Sequence, residues 1–425
     1  MNAASFIPFH RPSIDECEIE AVTAALRSGW LTTGPRTAQF EKEFGEYAGA
    51  PFALAVNSCT AALHLALAAL EIGPGDEVIT TPLTFCATVN CILHTGATPV
   101  MADIGPDGNI DPASIRERIG SRTRALLPVH YGGLPCDMRS IWNMARDRGL
   151  HVIEDAAHAL GARYEGSPIG AGSLTGGPHS DEGLHSDAVA FSFYATKSLA
   201  TGEGGMVTCH SQDLLERMRV LCLHGIGRDA WNRYGRNGAW YYEVVSPGFK
   251  YNMSDIQSAM GIAQLRKQER FVKIRAAQAR FYAERLAAVE EIELPPDAPV
   301  SNHASNHASN HASSHASSHA WHLYPIRLKL DKLKITRGDF IEKLKKRGVG
   351  ASVHFIPIPL HPAYARLPHA APESCPKAIE LYERLVSLPI YPDLSREELE
   401  HIASSVKAIV RAGRRKRVFA AASPA

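Results

Sequence analysis

The sequence predicts an α/β protein whose larger part is a mostly parallel sheet covered by helices, followed by a small α+β domain. Three features lead to this. Between residues 50 and 210, short apolar strands alternate with amphipathic helices, the rhythm of parallel strands joined by helical crossovers. A helical period then runs from Ser254 to Ala288, with Met260, Leu265, Phe271, Ile274 and Phe281 set among polar residues. Beyond it, Pro295, Pro296 and Pro299 mark a change of character.

Taken in order, the rhythm predicts strands over Phe52–Val56, Glu77–Thr80, Thr98–Met101, Arg124–Val129, His151–Glu154, Ala188–Phe193 and Met206–Cys209. Helices are predicted from Thr60, from Cys86 and over Asp137–Arg148. After the prolines, Trp321–Leu328, Thr336–Arg347, Val349–Phe355, Lys377–Val386 and Arg396–Arg411 read as the small domain. The boundary is placed near residue 265, giving a large domain over 1–265 with its N-terminal segment and a small one over 266–425.

A chain of 425 residues can bury a sizeable core in two domains. Its 45 basic side chains nearly cancel 44 acidic ones, so no nucleic acid is expected as a partner. No apolar run approaches the roughly 20 residues that span a bilayer, and the N-terminus lacks the order of a signal peptide. A cytoplasmic location without membrane contact is the expectation. The eight cysteines show no paired CxxC spacing, so neither disulfides nor a zinc site are expected.

Residues 301–320 are five tetrapeptides, Ser-Asn-His-Ala three times and Ser-Ser-His-Ala twice, with histidines at 303, 307, 311, 315 and 319. On a helix this spacing would bring neighbouring imidazoles together for a metal. Ser and Asn disfavour helix interiors, however, and no carboxylate stands nearby to support metal ligands, so the tract reads as an inserted surface loop with no metal. A second long connection lies between Gly170 and Asp187. Residues 412–425, with Arg414-Arg415-Lys416-Arg417, read as a disordered tail or an interaction arm.

Two segments carry chemistry. Lys197 sits in Phe191-Ser192-Phe193-Tyr194-Ala195-Thr196-Lys197-Ser198, followed by Gly202-Glu203-Gly204-Gly205. In so apolar a setting, desolvation lowers an amine's pKa and makes it a nucleophile towards an aldehyde cofactor; a lysine snorkelling at a strand edge is the alternative. Upstream, His151-Val152-Ile153-Glu154-Asp155-Ala156-Ala157-His158 ends an apolar strand in a carboxylate. Asp155 has the chemistry to keep a pyridinium nitrogen protonated, or else caps a helix.

These segments, with Ser28–Pro35, Ser58–His64, Gly73–Ile79, Pro128–Tyr131 and Gly248–Asn252, resemble the sugar-nucleotide aminotransferases of the DegT/DnrJ/StrS family along nearly the whole chain. The resemblance implies the type I fold of pyridoxal 5'-phosphate (PLP) enzymes, PLP as cofactor, and a homodimer with shared active sites. Phosphate binding falls on the amides of Cys59, Thr60 and Ala61 at a helix start, with the Thr60 and Ser192 hydroxyls added by the family pattern. Cys59 as a packing residue and Thr60 as a plain N-cap are the plainer readings.

By the same resemblance, Phe85 stacks on the cofactor ring or packs in the core, and His158 approaches the phenolic oxygen or is a buried structural histidine. Asn252 reaches the phosphate of the neighbouring subunit. Thr33, Tyr194 and His354 are the candidate substrate residues, and Trp231, Arg233 and Tyr234 suit cross-subunit or nucleotide contacts. The implied reaction transfers an amino group from glutamate to a nucleotide-linked keto sugar. Val129-His130-Tyr131, Lys250-Tyr251-Asn252 and Val353-His354-Phe355 resemble members that make UDP-4-amino-4-deoxy-L-arabinose, whereas Tyr194 and Ser198 replace the His and Asn often flanking the lysine. Relatives that are dehydratases carry His where Lys197 stands, and other relatives are regulatory proteins.

Overall fold

The computed structural model describes residues 6–172, 185–227, 241–297, 317–369 and 371–415. Seven strands form the main sheet: β1 (Phe52–Val56), β2 (Glu77–Thr80), β3 (Thr98–Met101), β4 (Thr123–Leu127), β5 (His151–Asp155) and, after a small hairpin of β6 (Arg163–Tyr164) and β7 (Ser167–Pro168), β8 (Ala188–Ser192) and β9 (Gly205–Cys209). Their order is β1-β9-β8-β5-β4-β2-β3, and β9 alone runs against its neighbours. The mixed α/β expectation with a mostly parallel sheet holds.

Both faces of this sheet are buried, as a parallel sheet requires. Alternate residues of one strand enter opposite cores. Ile79, Leu126, Val152 and Val189 join Phe40, Phe44 and Trp142 on one face. Val78, Leu127, Ile153 and Ala190 join Leu63, Leu65 and Ile92 on the other. The helices Pro35–Ala48, Met138–Arg148 and Asp255–Leu286 cover the first face, and Cys59–Ala69, Cys86–His94 and Gln212–Cys222 the second. The helix at 35–48 starts on a glycine that has no side chain to cap it; Asp255 caps it from afar, accepting from the amides of Gly34 (2.8 Å), Arg36 (3.0 Å) and Thr37 (2.9 Å).

In the small domain β10 (Ile292–Glu293), β11 (Tyr324–Leu328) and β12 (Leu385–Leu388) form an antiparallel sheet, with the helices Arg337–Lys346 and Arg396–Gly413 packed on its core. The helix Asp255–Leu286 spans both cores: Ile262 and Leu265 belong to the large one, Ala279, Phe281, Tyr282 and Leu286 to the small one. Residue 265 thus lies inside an unbroken helix. Ile7, grouped by position with the large domain, instead buries itself in the small core and pairs with Val349.

Two expectations about irregular segments need correction. The last tetrapeptide of the repeat is part of the fold: Ser317 Oγ accepts from the Glu165 amide (3.0 Å), Ser318 pairs with Arg163, the His319 ring stacks on Trp321 at 3.9 Å, and Ala320 is buried in the large core. The remainder of the tract up to residue 316 lies outside the described residues, as do 173–184 in the second long connection. At the C-terminus, Arg414 ion-pairs with Glu291 and Arg415 Nε donates to the Leu333 carbonyl (2.7 Å), so the tail does not begin at 412.

Replacing residues 301–316 by a short Gly/Ser bridge should leave the urea midpoint nearly unchanged, because loop entropy varies slowly with length and the segment has no side chain for a core larger than Ala. Extending the deletion to Ala320 should cost about 2 kcal/mol or more, since buried contacts and backbone bonds go with it.

Candidate active site

The cleft opens where the parallel strands end, the usual place for ligands on such a sheet. It holds about 600 Å³ and is lined by Ser58, Cys59, Thr60, Phe85, Asp155, His158, Ser192, Tyr194, Lys197 and His354 among others. All the predicted cofactor residues except Ala61 and Asn252, and all the predicted substrate residues except Thr33, therefore meet in one place.

Asp155 is the last residue of β5, and strand alternation aims it into the cleft while Glu154 turns to the opposite face. There Glu154 accepts from His130 Nε2 (2.7 Å) and from the Ser186 hydroxyl, in a buried network to which Trp142 Nε1 also donates. Asp155 Oδ2 accepts from Thr88 Oγ1 (2.8 Å), whose hydroxyl also meets Thr84 (2.8 Å), and Oδ1 accepts from the Ala157 amide (3.1 Å). Burial raises the Asp155 pKa; the Thr88 hydroxyl, the Ala157 amide, Lys197 and His130 oppose the rise. No helix starts after β5, so the bond to the Ala157 amide closes a turn and Asp155 is not a helix N-cap; its carboxylate is 5% exposed on the cleft wall.

Lys197 lies on the turn after β8, with its amide donating to Tyr194 O (2.8 Å) and the turn anchored by Phe193, which is fully buried between Phe40 and Phe44. Burial lowers its pKa, and Cys59 and Asp155 work in the opposite direction. The Cys59 thiol is itself pushed well up by burial, so Asp155 is the counter-charge near this amine.

The helix Cys59–Ala69 starts at the cleft floor, and Ser58, not Thr60, is its N-cap. Ser58 Oγ accepts from Ala61 N (3.1 Å), which removes Ala61 from the predicted phosphate-binding amides and leaves those of Cys59 and Thr60, which have no acceptor within the helix. The floor is shaped by Gly205: a Cβ there would stand 2.6 Å from Cys59 N and 2.5 Å from the Ser58 carbonyl carbon. Amides at a helix start, hydroxyls of Thr60 and Ser192, a buried carboxylate and a desolvated amine form a donor set that fits PLP.

Phe85 is 61% exposed on the cleft and tilts over Phe355 at 6.2 Å, which rules out its reading as core packing. His158 is buried, stacks against Phe355 (5.6 Å) and His322 (4.4 Å), and its Nδ1 has no partner. His354 is held by Ser387 Oγ at 3.0 Å. Thr33 stands apart because its hydroxyl is already used, donating to Met253 O (2.6 Å) and accepting from Asn252 Nδ2 (2.8 Å). Asn252 lies outside the cleft of its own chain, with Oδ1 buried and unpaired. Trp231, Arg233 and Tyr234 lie outside the described residues.

Sequence reading missed Phe9, His10, Thr84, Thr88 and His322, all of which line the cleft. Phe9 and His10 gave no local signal, since the N-terminal segment reaches the site only by docking on the small domain. Among the described residues, no group of three or more His, Cys, Asp and Glu side chains is arranged to hold a metal, and no helix is long and apolar enough to cross a membrane. The eight cysteines are free.

The imidazoles near the cleft set an acid limit on stability. Burial, the main cause in each case, lowers His10 to about 3, His319 to about 3 and His354 to about 4, and holds His158 and His322 well below 6.5. Unfolded, each would take up a proton below pH 6.5, so the unfolded chain binds more protons there. Their contribution is therefore present above pH 6.5 and is lost as the pH falls towards the folded values, at up to about 1.4 kcal/mol per unit and group. Asp155, Glu41 and Asp107, raised by burial, and His151, raised by Asp187, work the other way, while His64 and His210, lowered by burial, add to the five. Urea unfolding should show a clearly lower midpoint at pH 5 than at pH 7; equal midpoints would contradict the burial of these rings.

The chain belongs to the DegT/DnrJ/EryC1/StrS aminotransferase family, whose pattern matches residues 12–407. It is an aminotransferase that works with PLP. It is 45% identical over 408 residues to the spore coat polysaccharide biosynthesis protein SpsC of Bacillus subtilis, covering 96% of this chain and 97% of that one. Among solved structures, the PLP form of Spr1654 from Streptococcus pneumoniae superposes with a TM-score of 0.82 at 31% identity, covering 96% of this chain and 99% of that one. PseC of Helicobacter pylori, an aminotransferase involved in the biosynthesis of pseudoaminic acid, gives 0.80 at 30% identity, with 96% and 100% covered.

Proposed function

We propose that the protein transfers the amino group of glutamate to a nucleotide-linked keto sugar, at C4 of a UDP- or dTDP-linked ring, to supply an amino sugar for polysaccharide or a related glycoconjugate. The observation that carries this reading is the convergence of Lys197, Asp155 and the Cys59–Thr60 helix start on one cleft. The relatives named for polysaccharide and for pseudoaminic acid biosynthesis support the sugar as acceptor.

When bound, PLP supplies an aldehyde that bonds to an amine and a ring that draws off electron density from the reacting carbon. In this reading the amides of Cys59 and Thr60 and the hydroxyls of Thr60 and Ser192 hold its phosphate. Asp155, oriented by Thr88, keeps its negative charge at the ring nitrogen. Phe85 covers the ring, and His158 hydrogen-bonds near the phenolic oxygen. Lys197 would hold the cofactor covalently through Nζ, and its amine, when free, would take and return a proton at the substrate carbon. Tyr194 and His354 border the space left for the sugar. A second copy of the chain completes the site with Asn252 of the partner subunit.

Incubating the protein with glutamate and a panel of keto sugar nucleotides, with products read by mass spectrometry, tests the proposal. An amino sugar nucleotide is expected from a 4-keto member, and no aminated product from any member would refute it. The shared site has its own test in mixed Lys197→Ala and Asn252→Ala subunits. A heterodimer carries both lesions in one site and neither in the other, so exchanged mixtures should regain part of the wild-type rate. Absence of recovery after proven exchange would place Asn252 in its own subunit's site.

A further inference from the structure

Arg275 is a fully buried cation, 1% exposed, with no carboxylate partner among the described residues. Arginine is rarely buried so completely unless paired. Its NH1 donates to Ile390 O (2.7 Å) and Trp321 O (3.3 Å), and its Nε has no partner. One and two turns further along the same helix face, Gln278 Nε2 donates to Tyr391 O (2.8 Å) and the Tyr282 hydroxyl to Pro389 O (2.8 Å). The helix that spans both domains thus grips the segment Pro389–Tyr391 and the residue before His322. Ile390 and His322 both line the cleft, on its small-domain side.

His322 is 7% exposed, stacks on His158, and makes no hydrogen bond to the described residues; its Nδ1 is buried and unpartnered. Burial, with help from His158, Lys197 and Arg275, keeps this ring neutral. A neutral imidazole offers one donor and one acceptor, which matches a hydroxyl group. Among the described residues, the cleft lining includes no arginine and no lysine other than Lys197.

We propose that Arg275 is a positioning residue and His322 a substrate-contacting residue for the acceptor half of the reaction, with Arg275 fixing the small-domain wall and His322 hydrogen-bonding a hydroxyl of the acceptor sugar. The proposal rests on the reading of the acceptor as a keto sugar. Removing the guanidinium leaves the Ile390 and Trp321 carbonyls without this donor, so a stability loss alone does not separate a structural Arg275 from a positioning one, whereas a defect confined to the acceptor half does.

The test separates the two halves of transamination in the holoenzyme. The donor half is followed by the absorbance change on adding glutamate, and the acceptor half with whichever UDP- or dTDP-linked 4-keto sugar the wild type uses best. His322→Phe keeps the ring stack and should raise KM for the sugar about tenfold, the worth of one hydrogen bond of about 1.4 kcal/mol, with the donor half changed less than threefold. His322→Asn, which keeps a donor and an acceptor, should recover part of that loss. Arg275→Met should reproduce the sugar KM defect with the donor half changed less than threefold, and Arg275→Lys should be milder. If Arg275→Met does not fold, the double variant Arg275→Lys/His322→Phe should show less than the product of the two single defects. Unchanged sugar KM in His322→Phe, equal losses in both halves, or full additivity in the double variant would overturn the proposal while the wild type still aminates sugars. A wild type that turns over no keto sugar in the panel would overturn the functional reading, and this proposal with it.

Discussion

Lys197→Ala is expected to abolish the visible absorbance of the covalently held cofactor and to lower turnover by about four orders of magnitude or more, because the proposed mechanism gives both the covalent bond and the proton carrier to one amine. No neighbouring group can substitute. The two groups that act electrostatically against the burial of Lys197 are the Cys59 thiol, whose pKa burial pushes well up, and the Asp155 carboxylate, committed to Thr88 and the Ala157 amide; neither is an amine. The turn holding residue 197 is fixed by backbone bonds and by Phe193, so the loss should be chemical, with the fold retained. Far-ultraviolet circular dichroism together with steady-state rates checks this. Retained turnover would remove Lys197 from the mechanism.

The second large effect is expected at Asp155. Asp155→Asn preserves volume but removes the negative charge that the proposed mechanism sets at the ring nitrogen, and should cost about a thousandfold in turnover, the scale of a lost preorganised electrostatic contact. Asp155→Ala should do at least as much and also leave Thr88 Oγ1 without its acceptor. In both variants the covalent link at Lys197 should still form, so absorbance persists while turnover falls. Near-normal turnover in Asp155→Asn would reduce Asp155 to a cap for the Ala157 amide.

Much of the fold was legible because its signals are local. Each of the seven main strands is a short apolar run closed by polar residues or turn formers, and the observed strands match the predicted ones to within a residue or two. Asp155 and Lys197 were legible for a related reason: each follows directly from a strand into the cleft, where a charge among apolar and small residues stands out. What escaped depends on distant contacts. His10 and His322 become cleft residues only through the docking of the N-terminal segment and of the small domain. Thr33 looked free in the sequence, but its hydroxyl is taken by Met253 and Asn252, more than two hundred positions away. The repeat's uniform spelling concealed that its last unit is anchored by Arg163, Glu165 and Gly133. The domain boundary was illegible because an unbroken helix crosses it, with no proline or glycine break between the two cores.

The central claim is that Lys197 is the amine that bears PLP in a cleft built for transamination. Reducing the holoprotein with borohydride, digesting it and mapping the pyridoxyl label by mass spectrometry tests this most directly. The label is predicted on the peptide containing Lys197, and prior treatment with glutamate should prevent its attachment. A label on another lysine, or one that glutamate leaves unchanged, would contradict the account.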